Sequence, residues 1–117
     1  ADGVLASALL DARQTLLFEL RATAGVLFLR APLSVPDADP PTMARLYRDL
    51  LTANRLRVPL NGAWFAIDGD SQSVELLCRI EPDQLATDAD CIDRAVAAIN
   101  GAIHHAVQHL GLGYGQT

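Results

Sequence analysis

Two histidines, His105 and His109, have the spacing in this sequence that most resembles a catalytic metal site. Residues four apart on a helix share one face, and zinc enzymes use such pairs as ligands. Those enzymes also need a third protein ligand and a glutamate base, but only Ala106, Val107 and Gln108 lie between the pair. The spacing is therefore more typical of two solvated histidines, and we predict no metal site.

The other residues that could do chemistry give weaker signals. Asp68, Gly69 and Asp70 lack the rest of a calcium-binding loop and are predicted to form a hairpin turn. The two cysteines, Cys78 and Cys91, have neither metal-ligand spacing nor the number typical of a disulfide framework. No nucleophile elbow, phosphate loop or dinucleotide fingerprint occurs. The sequence thus predicts no catalytic residues and no cofactor, and so no enzyme.

Composition limits the class of partner. The chain has 117 residues, half of them hydrophobic, and a net charge of −5, with arginine supplying all nine basic residues. We expect one domain spanning 1–117. An acidic surface repels phosphate on average, which argues against a nucleic-acid partner. No apolar run reaches the roughly 20 residues of a membrane span, and no secretion signal opens the chain, so a cytoplasmic protein without a membrane partner is expected.

Patterns of hydrophobic residues predict the elements. Residues 14–21 and 26–33 alternate between apolar and polar side chains as half-buried strands do, and a short apolar run at 4–10 precedes them. Short connections between these strands favour an antiparallel meander. Residues 40–56 repeat with the period of a helix, and two further alternating strands, joined by the turn at Asp68–Asp70, follow it up to residue 80.

The last predicted element is a long helix over residues 88–110. A strip of small residues beside its apolar stripe is a candidate seat for a further helix or a partner; it consists of Cys91, Ala95, Ala98, Ala102 and Ala106. The glycine-rich tail, 111–117, is predicted to fray. The expected fold is therefore α+β, with the order β-β-β-α-β-β-α and a five-stranded antiparallel sheet.

One polar residue lies within the apolar stripe of the first helix. This residue, Asn54, falls near the end of that helix. Buried polar groups near helix ends usually bond the backbone, so we interpret Asn54 as satisfying the last free carbonyls or the following turn rather than as a recognition residue.

The stretches LLTAN and NGAWFAIDGDSQSVELLCRI resemble the central signature of type III secretion chaperones of the Tir-chaperone (CesT-type) family. In that family a helix ending in Leu-Leu-x-x-Asn leads into a strand, a turn and a strand. The residues that carry the resemblance are Leu50, Leu51, Asn54, Gly62, Phe65, Asp68, Val74 and Leu77. Family members open with an amphipathic helix before the first strand, whereas this sequence begins at Ala1 where that helix would already have ended.

The resemblance implies a non-enzymatic chaperone in the bacterial cytoplasm. It would bind the N-terminal region of a secreted effector and keep that effector soluble and secretion-competent. The family forms homodimers, with much of the contact made by the helix of the signature and the strand after it. Carried onto this sequence, that contact implies the dimer-interface residues Leu46, Leu50, Trp64 and Phe65.

Four apolar residues fall on the otherwise polar faces of the predicted strands. Such residues suggest a binding surface if they are contiguous, and we predict that they contact the effector; they are Leu17, Val26, Phe28 and Leu77. Two alternatives remain open. One is a regulatory or sensory domain of similar architecture that binds a folded partner, and the other is a metal-dependent enzyme that uses His105 and His109.

Overall fold

The computed structural model of the chain describes residues 3–67 and 73–116. Its first half contains β1 (Gly3–Leu10), β2 (Gln14–Arg21), β3 (Val26–Ser34) and α1 (Pro40–Leu56). Its second half contains a 3-10 turn (Val58–Leu60), β4 (Trp64–Ile67), β5 (Val74–Ile80), α2 (Pro82–Thr87), α3 (Cys91–His109) and β6 (Gly113–Tyr114). The predicted α+β class and element order are confirmed, with α2 and the two-residue β6 as additions. The hairpin turn predicted at Asp68–Asp70 lies outside the described residues.

All the paired strands form one antiparallel sheet in the order β1-β2-β3-β5-β4, with β6 pairing with β3. The meander β1-β2-β3 is confirmed. Because β5 lies between β3 and β4, the chain crosses from β3 to the far edge through α1 and returns inward as β5. The two edge strands of the described sheet are therefore β1 and β4.

The helices α1 and α3 cover one face of this sheet. The core between them contains Leu29 of β3 and Leu76 of β5, together with Leu50 of α1 and Ile99 and Ile103 of α3, all of them buried. The alternation of β3 and β5 directs these leucines inward, as the period-two pattern predicts. The residues that alternate with these leucines along β3 and β5 point to the opposite face of the sheet; they include Phe28, Arg30, Glu75 and Leu77. Within the described residues, neither α1 nor α3 covers that face.

Three of the five small residues of α3 are buried within the chain itself. Cys91, Ala102 and Ala106 are buried in the core. The prediction that this strip seats a further helix is therefore wrong for these three residues. Small side chains let a helix backbone approach its neighbour closely, and here the neighbour is the sheet of the same chain.

The predicted fraying of the C-terminal tail is also wrong over its described residues. The buried side chain of Gln14 holds the tail: its Oε1 accepts from Gly115 N–H at 2.9 Å, and its Nε2 donates to the Pro32 carbonyl at 2.7 Å. The Gly115 carbonyl accepts from Thr15 N–H at 2.8 Å. A Cβ atom at Gly115 would overlap the Pro32 carbonyl oxygen, so the approach of tail to sheet requires glycine there.

Candidate functional site

The face of the sheet opposite the helices carries a groove of about 520 Å³ across β2, β3, β5 and β4. Strand alternation brings its residues together, because Arg30 lies opposite both Leu17 and Leu77, and Phe28 lies opposite both Glu19 and Arg79. The groove is lined by Glu19, Arg21, Phe28, Arg30, Ile67, Glu75 and Leu77. We call this the open-face groove.

A chain of ion pairs crosses the floor of the open-face groove. Arg30 donates from Nη1 to Glu19 Oε2 at 2.8 Å, and from Nη2 to Glu75 Oε2 at 2.9 Å. Each of the two glutamate side chains is only 11% exposed, and that of Arg30 is 26% exposed. The hydrogen bond to Glu75 raises the pKa of Arg30, against the opposing effect of partial burial, so the guanidinium stays charged between its partners.

The charges of the groove are thus largely compensated within the protein. Arg21 pairs with the other oxygen of Glu19 at 3.1 Å, and Arg79 pairs with Glu81 at 2.6 Å. The guanidinium of Arg79 also lies 5.9 Å from the ring centroid of Phe28. This arrangement leaves the half-buried side chains of Phe28 and Leu77, together with the more exposed Ile67, as the apolar contacts that the groove offers.

Of the four apolar residues predicted to contact an effector, Phe28 and Leu77 line this groove. Leu17 is half-buried one strand away, where it lines a second cavity of about 390 Å³ together with Val4 and Leu9 of the edge strand β1. Val26 is only 3% exposed. The unpredicted helix α2 reaches that end of the sheet, where Pro82 lies beside Gly25. A side chain so buried offers no surface to a partner.

A second apolar surface lies where α1 meets β4. A cavity of about 230 Å³ opens there, and it is lined by Tyr47, Leu50, Leu51, Asn54, Phe65, Ala66 and Ile67. Leu51 is 69% exposed and Ile67 is 52% exposed, both high for large apolar side chains. We call this the α1–β4 cavity.

Three of the four residues predicted for a dimer interface lie at or behind the α1–β4 cavity. Leu46, Leu50 and Phe65 are buried in the core, although Leu50 and Phe65 also line the cavity wall. Trp64 is half-buried on the other face, opposite Leu77. The exposed residues Leu51 and Ile67 were missed as interface candidates, since each continues a pattern that also marks core residues.

The histidines of α3 lie apart from both surfaces. The rings of His105 and His109 are 5.0 Å apart between centroids, and His104 Nδ1 bonds the Tyr114 hydroxyl at 2.8 Å. Within residues 3–67 and 73–116, no three His, Cys, Asp or Glu side chains come together as metal ligands. In the same part of the chain, no helix has the length and hydrophobicity to cross a membrane.

Comparisons with known proteins agree with this architecture. A chain in the crystal structure of the ExsC–ExsE complex has the same fold, with a TM-score of 0.67 and 22% sequence identity. The match covers 88% of this chain and 74% of that chain. No curated protein gives a significant sequence match.

The family model described as the Tir chaperone protein (CesT) family matches residues 7–108, from β1 into the last turn of α3. That range includes both surfaces described above and most of the core. The chain therefore belongs to the Tir chaperone protein (CesT) family, the non-enzymatic chaperones that bind effectors of type III secretion.

Proposed function

We propose that this protein holds the N-terminal region of a type III secreted effector in the bacterial cytoplasm, and that it keeps the effector soluble and competent for secretion. The whole chain, 1–117, acts as one domain in this proposal. The observation that carries it is the open-face groove, in which apolar side chains border ion pairs that the protein has already satisfied.

An extended effector segment suits this face for two physical reasons. The compensated charges of Glu19, Arg30 and Glu75 need no partner, so binding leaves no charge unpaired. Apolar side chains of the segment gain burial against Phe28 and Leu77, and against Leu17 toward β1. The edge of β1 away from β2 is unpaired in the described sheet and supports the addition of a strand.

Holding the segment extended also explains why such binding would keep it secretion-competent. A segment that is ordered only on binding loses its conformational entropy at that moment, which limits its affinity per unit of area. The protein can therefore cover a large apolar surface of the effector and still release it. No folding of the effector is needed for these contacts.

We further propose that the protein is a homodimer formed through the α1–β4 cavity. The exposure of Leu51 and Ile67 beside that cavity supports this surface as the place where a second copy binds. Leu46, Leu50 and Phe65 then support the interface from the core, and Trp64 lies at its border with the open face. Two copies would present two open-face grooves to one effector.

The test of effector binding is a charge placed in the open-face groove. Phe28→Glu puts a carboxylate beside Glu19, and we expect the affinity for the effector's N-terminal segment to fall by about 100-fold. The segment is first identified by a pull-down of the complete protein with mass measurement, and binding is then measured by calorimetry with the purified segment. Leu56→Glu is the matched control, because Leu56 is exposed at the end of α1 and lines neither surface.

Equal binding by Phe28→Glu and Leu56→Glu, with both variants folded by circular dichroism, would remove the groove from the proposal. A folded partner bound one-to-one, with no affinity for an extended segment, would favour a regulatory or sensory domain instead.

A further inference from the structure

The two edges of the sheet differ in what their outward backbone groups bind. In an antiparallel pair, alternate residues direct their N–H and C=O groups away from the neighbouring strand. On β4 the central residue of this kind is Phe65, and one side chain bonds both its N–H and its C=O group. The Phe65 N–H donates to Asn54 Oδ1 at 2.6 Å, and the Phe65 carbonyl accepts from Asn54 Nδ2 at 3.0 Å.

The side chain of Asn54 therefore makes the two hydrogen bonds that an adjacent strand would make. A carboxamide has the same donor and acceptor as a peptide group, so the match is chemical as well as geometric. The preceding outward amide, that of Ala63, donates to the Leu60 carbonyl at 2.9 Å. By alternation, Ile67 is then the remaining outward residue of β4, which leaves a very short stretch for a strand to pair with.

The position of Asn54 is fixed by the packing of α1. Two nearby residues of α1 are buried in the core: Ala53, next to Asn54 in the chain, and Leu50, one turn earlier. The end of the helix is therefore held against β4. After the helix, Arg57 adopts a positive φ of 65°, and the chain turns there toward the 3-10 turn and β4. Asn54 thus reaches the strand edge from an element that cannot easily move away.

We propose that Asn54 closes the β4 edge against a strand from a second copy of this chain. A second copy is the occupant that the structure favours, because its own β4 is an edge strand of equal length that can pair about a two-fold axis. The exposed Leu51 and Ile67 next to this edge would add apolar contacts to such pairing. Edge strands with free backbone groups and apolar neighbours are the usual sites of unwanted association, and Asn54 satisfies those groups within the chain.

The inference goes beyond the proposed function and does not depend on the effector. It also specifies how copies meet in the proposed homodimer: they contact through side chains around the α1–β4 cavity, and their sheets do not join. Within the described sheet, the open edge is then that of β1.

The experiment uses NMR to measure hydrogen exchange at the Phe65 amide of the Asn54→Ala variant at several protein concentrations. We expect this amide to be unprotected in dilute Asn54→Ala and to regain protection as the concentration rises, because the freed edge pairs with another copy. The self-association constant from sedimentation should rise by about tenfold or more over the wild type. In the wild-type protein the Phe65 amide should be protected at every concentration.

Two variants complete the test. Thr52→Ala is the matched control, because it removes a hydrogen bond to the Arg48 carbonyl on the same helix without touching β4, and it should behave as the wild type. Asn54→Asp keeps the side-chain size and the acceptor for the Phe65 amide but loses the donor, so it provides a milder variant should Asn54→Ala fail to fold. It should show a smaller rise in self-association.

The proposal would be overturned if the Phe65 amide lost its protection equally at all concentrations in the Asn54 variants while self-association stayed unchanged. Asn54 would then have a purely structural role. Rapid exchange of this amide in the wild-type protein would also overturn it. Binding of the effector segment is measured on the same variants at a dilution where each has the mass of the wild type, and it should be unchanged, so the outcome is separate from that of the proposed function.

Discussion

Arg30 occupies a position where an unpaired charge would be costly. It lies on a central strand, between glutamates from the strands on either side, and both glutamate side chains are nearly buried. An arginine suits this place because its planar group can donate to two carboxylates at once. The three residues therefore act as one unit, and removal of its centre would leave two nearly buried carboxylates without their main partner.

The first prediction concerns this unit. Arg30→Met should lower the free energy of unfolding by about 2 kcal/mol, because it leaves Glu19 and Glu75 charged and incompletely paired. Arg21→Met is the matched control: Arg21 bonds the same Glu19, but its side chain is half exposed, so its loss should cost less than about 0.5 kcal/mol. Urea unfolding of the two variants measures the difference.

A further variant checks the cause. Adding Glu19→Gln and Glu75→Gln to Arg30→Met removes the two charges and should restore part of the lost stability. Similar losses for Arg30→Met and Arg21→Met would contradict the view that burial of the carboxylates sets the cost.

Asn54 shows how much of one residue's structural role could be predicted from the sequence. Its place in the apolar stripe indicated that the side chain bonds backbone, and it does so. The backbone that it bonds belongs to β4, eleven residues along the chain, rather than to the helix end or the next turn. Periodicity places a residue on a face of its helix, but only the packing of the helix against the sheet decides which strand that face meets.

Among the secondary-structure elements, α2 is too short to show a hydrophobic period, but a local signal in the sequence explains it. The helix begins with a capping box, in which Glu81 accepts from the backbone and its own N–H donates to Gln84 Oε1 at 3.0 Å. The next helix, α3, begins after Asp88, whose Oδ1 accepts from the Asp90 N–H at 3.0 Å. Arg94 in the first turn of α3 pairs with both carboxylate oxygens of Asp88.

The second prediction concerns the pH dependence of this helix start. The hydrogen bond from Arg94, followed by that from the Asp90 amide, lowers the pKa of Asp88 from its ordinary value of 3.8. A carboxylate with a lowered pKa in the folded state contributes stability at pH values above its unfolded pKa, and this contribution is lost as the pH falls through the folded pKa. Asp88→Asn should therefore cause a small fall in Tm at neutral pH that disappears in strong acid.

Thermal unfolding at about pH 7 and at about pH 2 measures this difference. Arg94→Met, which removes the partner of the Asp88 carboxylate, is the comparison variant and should show the same pH-dependent loss relative to the wild type. An equal effect of Asp88→Asn at both pH values would contradict an electrostatic origin.

The wrong predictions for the small residues of α3 and for the C-terminal tail have a common cause. The small residues of α3 are compatible both with close packing on the sheet and with a partner's surface, and their size does not distinguish the two. The tail from Gly111 looks mobile by composition, but Gln14, about a hundred residues earlier, holds it in place. Strands β2 and β3 and helix α1 were predicted well because their patterns are long and local.

At the scale of the whole molecule, the sheet separates two kinds of surface. One face is covered by α1 and α3, and the other carries the open-face groove. Of the two edges, β1 is unpaired in the described sheet, while β4 is bonded to Asn54. The family signature predicted the fold, because it spans α1, β4 and β5, but it could not decide that Val26 is buried or that Leu51 is exposed.

The last prediction concerns the proposed homodimer. Leu51→Glu and Ile67→Glu each place a charge at the mouth of the α1–β4 cavity, where a second copy would have to bury it. We expect either change to raise the dimer dissociation constant by about 100-fold, so that the mass measured by sedimentation falls from two chains to one. In Leu51→Glu, whose side chain does not line the open-face groove, the groove of each copy should keep its contacts with the effector segment, with weaker overall binding where one segment spans two copies.

Val58→Glu is the matched control, because Val58 is 84% exposed, more than either test residue, yet it does not line the cavity. If apolar exposure alone drove association, Val58→Glu would dissociate the protein at least as well as Leu51→Glu. If the α1–β4 cavity is the interface, Val58→Glu keeps the wild-type mass. A monomeric wild type, or a Leu51→Glu variant that stays dimeric, would place the contact between copies elsewhere on the molecule.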